Sequence, residues 1–193
     1  HRLSLYLTRF VFESIRTLFS GANLIQTWLG ESARRVTKST NLMDIPDDEF
    51  EETQADLHMS SVIWTSPLGL PVVQPYRQAC KKQIATNIQT LFLQDPFELN
   101  QVSSSRQLNG FAPNYIHSLD ATHMLLSSIE CGKNGVTFAS VHDSYWTHAS
   151  SVDEMNEILR SSFVELHQLN LIEKLKEELE TRYSANLLMA KVP

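Results

Sequence analysis

The sequence has few of the residues that would build a disulfide scaffold, a zinc ribbon or a membrane span. It contains two cysteines, Cys80 and Cys131, which lie far apart and form no C-x-x-C pair, so we expect neither a disulfide framework nor a zinc ribbon. Its longest apolar run falls far short of the roughly 20 residues that a membrane span needs. Because the chain also lacks an initiator methionine and a recognisable signal or transit peptide, we expect it to be a fragment that opens within a helix.

A basic excess, which is common in proteins that bind nucleic acids, is lacking as well, since the formal net charge is −6. Of the 22 acidic residues, seven lie between positions 44 and 56 with no Lys or Arg among them, which leaves 15 acidic residues against 16 basic ones. We interpret residues 41–60 as a solvated acidic insertion loop. Net charge therefore neither supports nor excludes a nucleic-acid partner.

Helical periodicity is present at both ends of the chain. Apolar spacing predicts helix over residues 3–36, as two helices or as one helix bent at Ser20-Gly21. Two helices are predicted to finish the chain, one over 151–166 with Ser151 and Glu154 as a capping box, and one over about 171–184. With the strands described next, this pattern predicts a mostly helical α+β fold without a second independent domain.

Short strand patterns and turn residues occupy the middle of the chain. Residues 61–65, 67–71 and 72–76 read as strand, turn and strand. A long hairpin is predicted over residues 72–94 with its tip near Asn87. Residues 103–110 read as a polar loop, and Pro113 is predicted to open a helix, because proline costs no hydrogen bond in the first helical turn.

The segment around Asp143 carries the most informative pattern. A buried-type strand over residues 136–141 runs directly into His142-Asp143-Ser144, and a second strand leaves over 145–148. This pattern places a carboxylate at the tip of a tight turn on a rigid support, as a phosphoryl-transfer site needs in order to hold Mg²⁺ against phosphate oxygens. An Asp that only satisfies backbone N–H groups in a turn is also consistent with it.

Histidines supply a second set of candidates. His117 and Asp120 are three residues apart and lie on one face of the predicted helix, where they could form a catalytic, metal-binding or positioning pair. His117, His123, His142 and His148 could also line a metal-dependent hydrolase site together with the two aspartates. Against a hydrolase, no H-x-x-x-H pair occurs within one helix.

Basic and amide side chains mark the predicted hairpin as a candidate DNA-binding element. The candidate contacts are Arg77, Lys81, Lys82, Gln83 and Gln89. A two-stranded ribbon fits the major groove, where Arg and Gln can read base edges; a solvated strand edge protected by Lys is the alternative. Trp28, Trp64 and Trp146 are interpreted as core residues rather than as platforms for base stacking.

Four motifs resemble those of one family. Residues 111–124 (FAPNYIHSLDATHM) and 141–149 (VHDSYWTHA) resemble the single-subunit, bacteriophage-type DNA-directed RNA polymerases, and residues 28–33 (WLGESA) and 63–76 (IWTSPLGLPVVQPY) are similar to the same family. The resemblance covers nearly the whole chain except the acidic loop. The segment looks mitochondrial rather than phage-like, and fungal.

The resemblance implies that the chain is a carboxy-terminal piece of a right-hand polymerase, with residues 111–149 in the palm, 151–185 as terminal helices and 72–94 as the specificity loop that enters promoter DNA. Asp143 would be one of two carboxylates that bind the catalytic Mg²⁺ pair. His142 would stand beside the 3′ end of the primer, and His117 would contact the minor groove of the last RNA–DNA base pair.

The implied partners are a DNA template and promoter, nascent RNA and nucleoside triphosphates, with a mitochondrial transcription factor as a possible further partner. The implied location is the mitochondrial matrix and nucleoid, without a membrane span. The second metal carboxylate and the nucleotide-binding Lys and Tyr of the family have no counterpart in this sequence, so the fragment is expected to be inactive alone.

A family-A DNA polymerase is the nearest alternative, but its corresponding turn reads His-Asp-Glu, where this chain has Ser144. A non-catalytic DNA-binding module is a second alternative function, but in such a module Asp143 would have no role.

Overall fold

The computed structural model describes residues 2–41, 60–78, 82–86, 88–93 and 100–188. Within these residues the helices are α1 Arg2–Leu18, α2 Ser20–Thr37, α3 Ser104–Lys133, α4 Val152–Gln168 and α5 Leu171–Arg182. The strands are β1 Ser39–Asn41, β2 Ile63–Thr65, β3 Pro71–Val73, β4 Lys82–Ala85, β5 Thr90–Leu93, β6 Ala139–Val141, β7 Ser144–Trp146 and β8 Asn186–Leu188. They form two-stranded antiparallel sheets, β1–β8, β2–β3, β4–β5 and β6–β7. The predicted mostly helical α+β class is therefore confirmed.

The first helical region divides into two helices, which was one of the two predicted arrangements. The break is at Phe19, which leaves helical geometry with φ −112° and ψ 53°. Helix α2 buries Leu29 and Ala33 in a core cluster that it shares with α3. Helix α1 instead leaves its large apolar side chains exposed, including Leu3 and Phe10. The apolar pattern thus predicted both helices, but burial follows it only in the second.

Helix α3 begins well before Pro113, so the predicted loop over 103–110 and the predicted helix start were wrong. The helix runs Ser104–Lys133 with Pro113 in its interior. Proline has no N–H to donate to the carbonyl four residues earlier, which weakens a helix at that point. Gln107 and Phe111 are fully buried in the first turns. This tertiary packing outweighs the local signals of the polar sequence and the proline.

Trp64 fixes the β2–β3 hairpin on α3. Its ring lies 5.2 Å from that of Phe111 and 6.2 Å from that of Tyr115, between ring centroids, and its Nε1 donates to Ser118 Oγ at 3.0 Å. The core assignment is confirmed for Trp64. It was wrong for Trp146, which is 51% exposed, because β7 belongs to a small hairpin that has no layer covering its outer face.

Helix α5 closes the core from the other side of β2. Glu178 accepts hydrogen bonds from the Thr65 N–H at 2.9 Å and from the Thr65 hydroxyl at 2.7 Å. The Tyr183 hydroxyl accepts from the Ile63 N–H at 2.9 Å and donates to the Ser61 carbonyl at 2.7 Å. These contacts hold the end of the chain against β2.

The predicted capping box at Ser151 does not form. Ser151 ends a short 3₁₀ helix, Ala149–Ser151, with φ −110° and ψ 10°, and its side chain makes no capping hydrogen bond to α4. An N-cap residue needs extended backbone so that its side chain can reach the first helical N–H groups, and the 3₁₀ helix prevents this. In the described residues, no helix combines the length and hydropathy needed to cross a membrane.

Candidate functional site

The His142-Asp143 turn joins two antiparallel strands, as the sequence predicted, but Ser144, which was predicted to lie in the turn, is the first residue of β7, so the loop has two residues rather than three. Strands β6 and β7 pair antiparallel, and Val141 opposite Ser144 is the last pair before the turn. His142 has φ +55°, the sign that the first central residue of a primed hairpin turn requires. Histidine tolerates this region better than most side chains, although the conformation still costs of order 1 kcal/mol.

The hairpin stands on a small core of its own. Tyr145 packs against Phe138 with ring centroids 5.5 Å apart and meets the edge of His123 of α3 at 6.2 Å. A second cluster of buried residues lies below, where α3 and α4 meet, and includes Met155 and Ile158. The predicted buried-type strand was wrong in detail, because the side chains of β6 alternate between exposed and half-buried. The hairpin is supported on one face only.

The charges of Asp143 and Asp120 both influence the pKa of the Tyr145 phenol. The Asp143 side chain is exposed at the turn. Burial raises the pKa of the Tyr145 phenol, and the negative charges of Asp120 and then Asp143 raise it further. The two carboxylates therefore lie within electrostatic reach of Tyr145.

His117 and Asp120 lie on the same helix but face different hairpins. Asp120 acts on Tyr145 of the β6–β7 hairpin, whereas His117 lines a cavity of about 380 Å³ between α3 and the β2–β3 hairpin. Asn114 and Tyr76 line the same cavity. In the part of the chain that the structure describes, no hydrogen bond or ion pair joins His117 to Asp120, so the two do not form a pair.

Nothing in the structure favours the metal-hydrolase alternative. Among residues 2–41, 60–78, 82–86, 88–93 and 100–188, no group of three His, Cys, Asp or Glu side chains is placed to hold a metal ion. His123 is occupied instead by the Leu159 carbonyl, 2.9 Å from its Nε2, and it packs on Phe163 as well as Tyr145. The residues present fit a divalent-metal site through Asp143 as a single carboxylate ligand that other ligands would have to complete.

Within the described residues, the second hairpin comprises a shorter pair of strands than the predicted 72–94 range. Strands β4 and β5 pair from Lys82 opposite Leu93 to Ala85 opposite Thr90, and Asn87, the predicted tip, lies outside the described residues. The residues at the start of the predicted 72–94 range belong elsewhere, because Val72 and Val73 pair with β2. Burial of Trp64 beneath that pairing accounts for the difference.

The candidate DNA contacts on this hairpin have different surroundings. Gln83 and Gln89 are exposed. Arg77 is partly buried, and its guanidinium donates to the Asn100 carbonyl at 2.7 Å. Lys81 and the side chain of Lys82 lie outside the described residues. Sequence reasoning missed how apolar the described hairpin is, since Ile84, Ile88, Leu91, Phe92 and Leu93 are all exposed. The available signal was the apolar run Leu91-Phe92-Leu93.

Sequence reasoning also missed a buried amide network next to the cavity. Gln74 and Gln107 hydrogen-bond each other in the interior, and Asn114 joins Gln74 to Tyr76. The predicted loop over 103–110 concealed Gln107, because a polar residue in a loop is expected to face water. Gln74 and Asn114 both line the cavity that His117 lines.

Comparison with known proteins relates the whole chain to one family. The family described as DNA-dependent RNA polymerase matches residues 1–193. The mitochondrial DNA-directed RNA polymerase of Schizosaccharomyces pombe is 45% identical over 186 residues, which are 96% of this chain and 16% of that protein.

Two further relatives carry the same printed name. The mitochondrial DNA-directed RNA polymerase of Neurospora crassa is 38% identical over 221 residues, which cover 98% of this chain and 15% of that protein. The mitochondrial DNA-directed RNA polymerase of Homo sapiens is 42% identical over 181 residues, which cover 92% of this chain and 13% of that protein. The chain thus spans at most 16% of the length of these three relatives.

Proposed function

The chain belongs to the DNA-dependent RNA polymerase family, and from this premise we propose that it is part of the catalytic region of a mitochondrial DNA-directed RNA polymerase. Its reaction is the transfer of nucleotides from nucleoside triphosphates to the 3′ end of RNA on a DNA template. Support comes from the match over residues 1–193 and from the names of the relatives in two fungi and in human. The same names support mitochondrial location, with the matrix nucleoid as the proposed site of action.

The observation that carries the proposal is the position of Asp143. An exposed carboxylate stands on a two-residue turn whose strands are braced against α3 by Tyr145. We assign Asp143 as one ligand of a catalytic Mg²⁺ pair, with the remaining carboxylate supplied from elsewhere in the polymerase. Metal ions bound in such a site activate the attacking hydroxyl and neutralise charge on the transferred phosphate.

The other residues of the region have positioning roles in this proposal. His142 stands next to Asp143 on the turn and lies beside the 3′ end of the RNA. His117, exposed at the cavity between α3 and the β2–β3 hairpin, contacts the minor groove of the terminal RNA–DNA base pair, where it tests base-pair shape rather than sequence. In the right-hand architecture that the family implies, this region is the palm.

Hairpin β4–β5 is the proposed promoter-contacting element. Its support is the exposed Gln83 and Gln89 on a two-stranded ribbon, together with the Lys81 and Lys82 positions in the sequence. Gln side chains can discriminate base edges, and Lys side chains bind phosphates without reading sequence. Arg77 instead donates to the Asn100 carbonyl, which lies on the other side of the hairpin in the sequence, and it is the least accessible of the described candidates.

Asp143→Asn in the full-length polymerase tests the function directly. The variant keeps the shape of the side chain but removes its charge, so we expect nucleotide addition on a primed DNA template to fall at least ~10³-fold while template binding is retained. The matched control is Asp153→Asn, which removes an exposed carboxylate in the first turn of α4 and should leave the rate unchanged. A near-normal elongation rate for Asp143→Asn would contradict the assignment.

A further inference from the structure

Two buried amides form a reciprocal pair between the segment after β3 and the first turns of α3. Gln74 Nε2 donates to Gln107 Oε1 at 2.8 Å, and Gln107 Nε2 donates to the Gln74 carbonyl at 2.8 Å. Gln107 Oε1 also accepts from the Val62 N–H at 3.3 Å. Gln74 is 1% exposed and Gln107 is 0% exposed. Because these buried amides cannot form replacement hydrogen bonds with water, each side chain fixes the position of the other.

Asn114 and Gly110 extend this contact along α3. Asn114 Nδ2 donates to Gln74 Oε1 at 2.9 Å and to the Tyr76 hydroxyl at 3.0 Å. A Cβ on Gly110 would lie 2.7 Å from Tyr76 Cε2 and 3.0 Å from Gln74 Oε1. Glycine therefore allows the side chains of Tyr76 and Gln74 to lie directly against the helix backbone. Since buried Phe111 holds α3 in the core, an added methyl group would displace these side chains rather than the helix.

The same segment forms one side of the stem of hairpin β4–β5, and we define this hairpin stem as residues 74–78 and 100–103. The Gln78 N–H donates to the Gln101 carbonyl at 2.8 Å, and the two side-chain amides hydrogen-bond at 2.7 Å. Helix α3 starts at Ser104, immediately after the stem. A displacement of residues 74–76 would therefore displace the hairpin stem, which precedes β4 and follows β5 in the sequence.

We propose that Gln74, Gln107 and Asn114 are positioning residues that set the hairpin stem against α3, and thereby set hairpin β4–β5 relative to the helix that carries His117. Gly110, Asn114 and His117 follow one another at helical spacing along one face of α3, and Asn114 and His117 both line the cavity. The network couples promoter contact by the hairpin to the helix beside the growing RNA. This inference rests on the proposed function.

The test compares two Gly→Ala variants of α3 in the full-length polymerase. For Gly110→Ala we expect promoter-dependent initiation to fall about 10- to 100-fold, as a displacement of about 1 Å can produce, while extension of an RNA primer on promoter-free DNA changes less than about 3-fold. Gly132→Ala is the matched control, because its added Cβ would meet nothing within 4 Å. Both changes replace a helical glycine by alanine, and of the two only Gly110→Ala introduces a close contact with Tyr76 and Gln74.

Tyr76→Phe keeps the test decisive if Gly110→Ala does not fold. It removes one hydrogen bond of Asn114 and retains the ring, and the ratio of initiation to primed extension should fall roughly 2- to 10-fold. Equal losses on both templates, or no loss on either, would overturn this inference and leave the proposed function standing. If the wild-type polymerase made no RNA on either template, the proposed function would fail and this inference with it.

Discussion

Glu178 shows how one partly buried carboxylate joins the last helix to the core. It accepts hydrogen bonds from the N–H and hydroxyl of Thr65 and from the Arg182 guanidinium, the last at 2.7 Å. Burial by itself would raise the pKa of Glu178. The hydrogen bonds from Arg182 and Thr65 and the charge of Arg182 outweigh burial, so the pKa lies below the ordinary glutamate value. The charged form is therefore the one that stabilises the folded chain.

This pKa shift predicts how the stability of the chain depends on pH. A carboxylate whose pKa is lowered by folding contributes stability above its unfolded pKa, and that contribution is lost as pH falls through the lower folded pKa. Glu178→Gln should therefore lower the free energy of unfolding by roughly 1 kcal/mol at neutral pH and flatten its decline in acid, as measured by denaturant unfolding across a pH series. Glu173→Gln is the control, since Glu173 pairs with Lys176 at the surface of the same helix. If the free energy of unfolding of Glu178→Gln declined in acid as steeply as that of the wild-type chain, this role of the carboxylate would be refuted.

At the scale of elements, hairpin β4–β5 differs from the other hairpins in how little of it is buried. Every described side chain of β5 is exposed, whereas β2–β3 is fixed by Trp64 and β6–β7 by Tyr145. Among the described residues of this hairpin, no side chain is buried, and we propose that the hairpin stem sets its position. An element with little burial of its own can approach a partner without unfolding the core.

This arrangement predicts separable effects for the charged and amide side chains of the hairpin. Replacing Lys81 and Lys82 together by Ala should weaken binding to all DNA and reduce its dependence on salt, because phosphate contacts release counterions. Replacing Gln83 or Gln89 by Ala should instead reduce promoter preference by about 1–3 kcal/mol, with little effect on random sequence. Binding titrations at several salt concentrations, on promoter and random duplexes, measure both quantities.

Two results, one from those titrations and one from RNA synthesis by a hairpin deletion, would speak against the hairpin as a DNA-contacting element. If neither set of substitutions changed affinity or preference, the hairpin would be a solvated edge. If a deletion of the hairpin reduced promoter-dependent and primed synthesis equally, the hairpin would be structural. Elongation beyond the promoter should be nearly unchanged by the Lys and Gln substitutions, because the proposed chemistry lies at Asp143.

At the scale of the whole molecule, the described residues present one carboxylate at a turn rather than a complete metal site. Among them, no three candidate ligands converge, and Mg²⁺ keeps its waters unless several ligands replace them. We therefore predict that residues 1–193 alone add no nucleotides to a primed template at any Mg²⁺ concentration. The full-length polymerase on the same template is the positive control. Primer extension by the purified piece would show that the site is completed within these residues.

The sequence by itself determined the features whose causes lie within a few neighbouring residues. Apolar spacing predicted α1 and α2, and two short strand patterns on either side of His142-Asp143-Ser144 predicted the hairpin that presents Asp143, although Ser144 lies in β7 rather than in the turn. Long motifs in order indicated the family, which the match over residues 1–193 confirms. Such features could be predicted because backbone periodicity and turn chemistry act locally.

Only the tertiary structure decided the features that depend on partners distant in the chain. Helix α3 extends through a polar segment because Gln107 hydrogen-bonds to Gln74, 33 residues away. Trp64 is a core residue because it packs against Phe111 and Tyr115 of α3, whereas Trp146 is exposed. His117 and Asp120 separate into different surroundings because two hairpins pack on α3 at different places. Burial and hydrogen-bond partners are set by packing across the whole core, and that packing outweighs local propensity.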